Sequence, residues 1–258
     1  MERKLISVTG PDAHDFLQGL ITNDIGRVDR DGIAWAALLT PQGKYLSDFF
    51  VIRWPEGYLL DVPAAQADEV GRRLNMYKLR AKVVLDMPQV PVARGTGPAP
   101  EGALPDPRHP DLGWRLYGSD LPPDDGTDWD ALRVRLLVPE SGIELVPNDS
   151  YILEMGFARL NGIDFRKGCF VGQEVTARMR HKTVLRKGLV TAQLAAAVPP
   201  GTPVTRAGRE VGQVLTQSGG QAIAWLRFDR IGPDMEAAGV AVTAEAPEPA
   251  PQPGPQPG

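Results

Sequence analysis

Lys167-Gly168-Cys169-Phe170-Val171-Gly172-Gln173-Glu174 is the stretch on which the reading of this chain turns. Glycines stand on both sides of Cys169, the single cysteine, at Gly168 and Gly172. Glycine permits positive φ and close backbone approach, so the segment reads as a tight loop able to meet a ligand. Arg166 and Lys167 directly precede the cysteine, and nearby positive charge favours the thiolate, the form that attacks or binds metal. Gln173 and Glu174 add an amide and a carboxylate, groups that can read the hydrogen-bonding edge of a heterocycle. Two readings of Cys169 stand on these grounds: a reactive thiol, or a small buried hydrophobe.

The surrounding residues are basic. Between Arg159 and Lys187 there are eight Lys/Arg (Arg159, Arg166, Lys167, Arg178, Arg180, Lys182, Arg186, Lys187) against Asp164 and Glu174. That is +6 in a chain of net charge −4, leaving about −10 elsewhere. Such a concentration points either to an anionic partner or to a solvated face. The acidic balance of the whole argues against a general nucleic-acid binder, and no tryptophan lies in the basic stretch to stack a base. A lone cysteine excludes an internal disulfide, and with three scattered histidines it offers no local four-ligand zinc site. No apolar run reaches the roughly 18 residues needed to cross a bilayer. The residues after Met1 are polar rather than a signal-peptide core, so a cytoplasmic protein is expected.

Outward from the loop, the chain reads as α+β and then all-β. Thr9-Gly10-Pro11-Asp12 predicts a helix start, followed by Phe16, Leu17 and Leu20 on one face. Strands are expected at Ile33 to Leu39, Tyr45 to Trp54 and Tyr58 to Val62, with a turn at Thr40-Pro41-Gln42-Gly43. A helix from Ala64 to Asn75 and a strand from Ala81 to Leu85 follow. Residues 94–113 hold five prolines and four glycines and read as irregular connection. Asp149-Ser150 predicts the cap of a helix running through Leu153 and Phe157 toward Leu160. Five short strands then suggest a small barrel or sandwich: Gly188 to Leu194, Pro203 to Arg206, Glu210 to Thr216, Ala222 to Arg227 and Val240 to Ala244. The expected division is an α+β region over 1–182, a β-barrel over 183–246 and a proline-rich disordered tail over 247–258.

Phe165-Arg166-Lys167-Gly168-Cys169-Phe170-Val171-Gly172-Gln173-Glu174-Val175-Thr176-Ala177-Arg178 resembles the signature of the YgfZ-type folate-binding proteins and their mitochondrial counterpart. Further likenesses are Phe16-Leu17-Gln18-Gly19 with Thr22-Asn23-Asp24, Tyr77-Lys78-Leu79-Arg80-Ala81-Lys82-Val83, Asp106-Pro107-Arg108 with Gly113-Trp114-Arg115, and Asn161-Gly162-Ile163. The resemblance implies the fold of the glycine-cleavage T-protein: two intertwined α+β lobes, one ferredoxin-like, then a small β-barrel. It implies tetrahydrofolate, with or without a polyglutamate tail, in a central pocket, and a role in iron–sulfur cluster maturation alongside client or assembly proteins. Leu153-Glu154-Met155-Gly156 is similar to the segment whose glutamate reads the pterin, and a carboxylate can accept two parallel hydrogen bonds there. On the same likeness Asn23, Gly168, Gly172, Gln173, Glu174 and Arg178 are folate-binding candidates, and Cys169 and Lys167 the chemical ones. T-proteins carry paired aspartates on an early strand, and Ser47-Asp48 keeps one acid of that pair. Asp48 therefore stands either as a folate contact or as a buried polar group. Three functions follow: a folate-dependent iron–sulfur assembly factor, a one-carbon transferase, and a binding module that uses the basic stretch.

Overall fold

The strand reading around Ile33–Trp54 sets the frame of the N-terminal unit. A computed structural model describes residues 2–182 and 184–247. Strand β1 (Arg3–Thr9) leads into α1 (Ala13–Gln18) and α2 (Ile25–Asp31). Then come β2 (Ile33–Leu39), β3 (Tyr45–Trp54), β4 (Gly57–Pro63), α3 (Ala67–Lys78) and β5 (Val84–Asp86). These five strands form one antiparallel sheet in the order β2-β3-β4-β1-β5.

The period of two in a strand gives this sheet two different faces. Val8, Ala36, Phe49, Val51, Leu60 and their neighbours point to one side and close a core with Leu17, Val28, Val70 and Leu74 of the three helices. The other side carries Trp35, Asp48, Phe50 and Asp61, because the register sets Trp35 opposite Phe50 and Phe50 opposite Asp61. Every residue of β2 is buried, so both faces are covered. The turn expected at Thr40–Gly43 forms, with the Gly43 N–H donating to Thr40 O at 2.8 Å and Gly43 at φ 75°.

The proline-rich stretch proves less irregular than its composition suggests. Strands β6 (Val92–Gly95), β7 (Leu104–Pro105) and β8 (Trp114–Tyr117) pair as a three-stranded sheet, and Asp106, Leu112 and Trp114 are buried. Helix α4 (Trp129–Leu136) is capped by Asp128, whose Oδ1 accepts from Ala131 N at 2.9 Å. The helix expected from Asp149 through Leu160 does not form. Residues 152–161 make successive turns, since Gly156 at φ 80° and Asn161 at φ 56° interrupt any helical run. Helix α5 (Gln173–Lys182) occupies the basic stretch instead.

The C-terminal barrel holds one strand more than the five expected. Strands β9 (Lys187–Leu194), β10 (Pro203–Arg206), β11 (Arg209–Ser218), β12 (Gln221–Arg227), β13 (Met235–Ala237) and β14 (Val240–Ala244) close in the order β10-β11-β12-β9-β14-β13. Val204, Val214, Ala224, Leu226 and Val242 fill its interior. Closure removes the open edges that an isolated sheet would expose. The chain divides into two compact units that interleave along the sequence: 1–127, 147–149 and 157–173 in one, and 128–146, 150–156 and 174–258 in the other. Segments well before residue 183 thus pack with the barrel, whereas the expected division ran in chain order. The expected tail, residue 247 aside, lies outside the described residues.

Candidate functional site

The Cys169 loop is fastened at its beginning, its middle and its end. Asp164 opens it: Oδ1 accepts from Arg166 N at 2.8 Å and Oδ2 pairs with Arg27 at 3.2 Å. Burial would raise the Asp164 carboxyl, but the Arg166 N–H and Arg27 more than reverse this and hold it below the usual carboxylate range. Lys167 then turns inward. Its Nζ donates to Gln18 O at 2.5 Å and to Ile21 O at 2.6 Å, at the C-terminal end of α1 where helix carbonyls lack internal partners. The Gln18 amide returns a bond to Lys167 O at 3.2 Å. Burial pushes the Lys167 amine down to about 8, with Asp24 and Asp164 opposing it.

At the far end Gly172 sits at φ 83° against Thr40, where an added Cβ would lie 2.6 Å from Thr40 O. Phe170 is buried beneath the loop, and Gln173 Oε1 accepts from Phe170 N at 3.3 Å. Between these anchors Gly168, at φ 93°, faces open space and Cys169 is exposed. The structure thus overturns the buried-hydrophobe reading of Cys169. It also reassigns Lys167: its ammonium serves main-chain carbonyls, so it positions the loop. Gln173 likewise closes the turn from within.

The N-terminal motif and the Asn161 motif meet at the same place. Thr22 Oγ1 donates to Gly162 O at 2.7 Å, and Asp164 N donates to Thr22 O at 3.1 Å. Asn23 Nδ2 donates to Trp35 O and Asn161 O at 2.8 and 2.7 Å, while its Oδ1 accepts from Asp24 N at 2.9 Å. Both amide protons of this buried side chain are engaged. Asn23 is therefore a brace between strand and loop, with both of its N–H donors spent on protein carbonyls.

On the polar face of the sheet, Asp48 is buried and both its oxygens are held. Trp35 Nε1 donates to Oδ2 and Tyr45 OH to Oδ1, each at 2.8 Å. Trp35 stacks on Phe157 with ring centroids 4.0 Å apart. Gly162 is required beside them, since an added Cβ would fall 2.6 to 2.7 Å from their rings. Arg108 and Arg115 lie over Phe50, at 4.8 and 3.8 Å from its centroid. Asp61 binds Arg3 at 2.5 Å, Arg115 at 3.0 Å and Tyr117 OH at 2.9 Å. The sequence reading missed Trp35, Tyr45 and Asp61 as parts of this face. Alternation within one strand does not reveal them, since which residues of β2, β3 and β4 share a face is set by the register between the strands.

In the unit that contains the barrel, Glu154 is 9% exposed and faces Lys187 Nζ at 3.7 Å, while Lys187 lies 4.6 Å over the Trp225 ring. The Glu154 carbonyl accepts from Leu189 N at 3.0 Å, which ties this residue to β9. Glu174 and Arg178 pair at 2.7 Å across one turn of α5, both exposed. A buried hub absent from the sequence reading joins Arg133 to Glu144 at 3.1 Å and to Thr216 at 3.0 Å, and Glu144 also accepts from Thr216 Oγ1 at 2.6 Å. Among the described residues no three His, Cys, Asp or Glu side chains gather as a metal site, and no helix is long and apolar enough to cross a membrane.

The chain and its architecture have relatives. The family described as the CAF17 C-terminal beta-barrel domain matches residues 186–252. "Iron-sulfur cluster assembly factor IBA57, mitochondrial" from Mus musculus is 32% identical over 296 residues, covering 95% of this chain and 83% of that protein. The Homo sapiens protein of the same name is 32% identical over 294 residues with the same coverage. Among solved structures, the glycine cleavage system aminomethyltransferase T from Bartonella henselae matches with a TM-score of 0.73 over 94% of this chain and 82% of its own, at 15% identity. That likeness establishes the expected T-protein fold with its C-terminal barrel.

Proposed function

Because the chain belongs to the family of IBA57 iron–sulfur cluster assembly factors, we propose that it supports the maturation of iron–sulfur proteins, with Cys169 as the functional thiol. The YgfZ-type label expected from the loop signature names a related family. The single observation that carries the proposal is the exposed Cys169 on a loop pinned at Asp164, Lys167 and Gly172. A sulfur so placed can meet iron or sulfur without the backbone having to reorganise. Four ligands are the norm for a cluster, and one cysteine supplies one of them. A cluster handled here is cargo shared with a client or assembly protein.

We further propose tetrahydrofolate as ligand. Glu154 is a buried acid, and a carboxylate suits two parallel pterin N–H donors. A polyglutamate tail bound by Arg178 would displace Glu174 from it. The one-carbon transferase reading is the weaker of the two, because Asp48 stands without a second acid and both its oxygens are held by neutral donors. For compartment we keep the cytoplasmic reading, because a single cysteine gives an oxidising compartment no support.

The test is a deletion strain assayed for a panel of iron–sulfur enzymes, together with calorimetry of tetrahydrofolate on the purified chain. Selective loss of those activities, restored by the wild-type chain, supports the assembly role; an unaffected panel refutes it. Removing one partner of a buried charge-assisted pair costs about 2–5 kcal/mol, so Glu154→Gln should bind folate at least about tenfold more weakly. Unchanged affinity in a folded variant removes Glu154 from the site.

A further inference from the structure

Helix α3 ends at Lys78, and the next residue, Leu79, has φ 42° and ψ −104° with its side chain 89% exposed. A leucine at positive φ crowds its own Cβ against the backbone, and an exposed leucine recovers none of that cost by burial. The surrounding loop is nevertheless held firmly. Ala81 N donates to Lys78 O at 2.7 Å, Val83 N to Ala81 O at 2.9 Å, and Lys82 N to Asp12 Oδ2 at 2.7 Å. Gly10 passes so close that an added Cβ would lie 2.4 Å from Lys82 O, and Tyr77 and Ala81 pack on the core. The fold thus fixes a strained loop whose product is an outward-facing leucine.

Lys78, Arg80 and Lys82 surround that leucine, and none of them forms an ion pair among the described residues. Three cations outside any ion pair, with Asp12 the one acid bound to their loop, mark a local anion-seeking surface in a chain of net charge −4. Beside it, a groove of about 230 Å³ runs between α3 and β5, walled by Gly71, Arg72 and Asn75 on one side and Leu85, Asp86 and Met87 on the other. Strand β5 is the last in its sheet, so among the described residues its outer edge has no strand partner. Met76 and Met87 are exposed near this rim, and methionine accommodates varied apolar partners. Asp68 and Asp86 are the acids of the groove, while Arg72 and Arg73 are both paired with Glu69. The cationic character therefore gathers at the Leu79 end.

We propose that this rim docks an extended, acidic segment of a partner protein. The segment adds a strand to the open edge of β5, sets apolar side chains against Leu79 at one end and Met87 at the other, and lays its carboxylates on Lys78, Arg80 and Lys82. Main-chain pairing supplies affinity, and the leucine with its three cations supplies selection. The proposal uses none of the residues of the Cys169 loop and does not depend on the thiol chemistry.

The test replaces Leu79 with p-benzoylphenylalanine in the full-length chain, crosslinks in cells of the source organism and identifies the linked peptide by mass spectrometry. That peptide is then synthesised and titrated against the purified chain at rising salt. The expected result is an acidic peptide, carrying apolar residues, whose affinity falls with salt. Leu79→Asp and the triple variant Lys78→Glu/Arg80→Glu/Lys82→Glu should each weaken it by about tenfold or more. Leu79→Gly should bind as weakly while melting at a higher temperature than wild type, because it relieves the positive φ. Absence of an adduct, a neutral or basic linked peptide, linkage only to this chain itself, or unchanged affinity in the folded variants would each overturn the proposal.

Discussion

Lys167 and Gln18, 149 residues apart in sequence, bind each other reciprocally: the lysine Nζ donates to the Gln18 carbonyl at 2.5 Å and the Gln18 amide donates to the Lys167 carbonyl at 3.2 Å. This exchange joins the N-terminal motif to the cysteine loop. It explains why both motifs are needed to hold one exposed thiol in place.

Replacing Lys167 by methionine keeps the stem and removes the donor, leaving the carbonyls of Gln18 and Ile21 without it. A loss of about 1–3 kcal/mol is expected at neutral pH. The pH dependence has a definite sign. Burial lowers the folded amine to about 8, below its ordinary 10.5, so above pH 8 the unfolded chain binds more protons and stability rises with pH. Denaturant midpoints of wild type minus Lys167→Met, measured upward from pH 8, should show that rise. A flat difference would mean that the lysine is not buried as a cation.

Asp61 predicts the opposite limb. Burial would raise its carboxyl, but Arg3 and Arg115 outweigh that and hold it below the ordinary value. Its contribution is present above about pH 4 and is lost as pH falls toward the lowered folded value. Asp61→Asn leaves Arg115 buried beside a neutral partner, at a cost of about 3–5 kcal/mol. The variant should be less stable at pH 7 and flatter than wild type in acid. Equal acid slopes would remove Asp61 from the acid transition.

The two glycines of the loop should behave differently. Gly168→Ala meets only the penalty of positive φ, about 1–2 kcal/mol, since open space surrounds it. Gly172→Ala adds a collision with Thr40 O, Leu39 Cβ and Gly43 Cα, and should cost clearly more. Thermal melts that rank the two in reverse would contradict the packing at Thr40.

Much of this arrangement is legible in the sequence, and the failures have physical causes. Ile33–Leu39 and Tyr45–Trp54 are strands as read: the first is a short, wholly apolar run, the second is rich in aromatic and β-branched residues, and turn residues separate them. The spacing of Leu153, Phe157 and Leu160 suggested a helix, yet it reports only burial, which a chain of turns around Gly156 satisfies equally. Strand β1 escapes the sequence reading because its Thr9 and the following Gly10 read as the start of a helix rather than the end of a strand. Helix α5 lacked an apolar stripe, and its basic residues suggested a ligand face before they suggested a helix. Cys169 and Gly172 stand out in the sequence because their chemistry is local, whereas Glu154 is named only through the family resemblance. The Trp35–Asp48–Tyr45 cluster does not stand out, because it depends on how strands pair.

Exposure of Cys169 makes a direct forecast for thiol reagents. A small aromatic disulfide should titrate one thiol per native chain without denaturant. Reaction only after unfolding would place the sulfur inside.

The decisive measurement is complementation by Cys169→Ser in a strain lacking the protein, with the amount of soluble variant and its melting temperature determined alongside. Because the side chain is exposed on a loop fixed by other residues, the variant should fold and melt like wild type. It should nevertheless fail to restore the iron–sulfur enzyme activities. Full restoration by a normally folded Cys169→Ser chain would contradict the assignment of the thiol as the functional group.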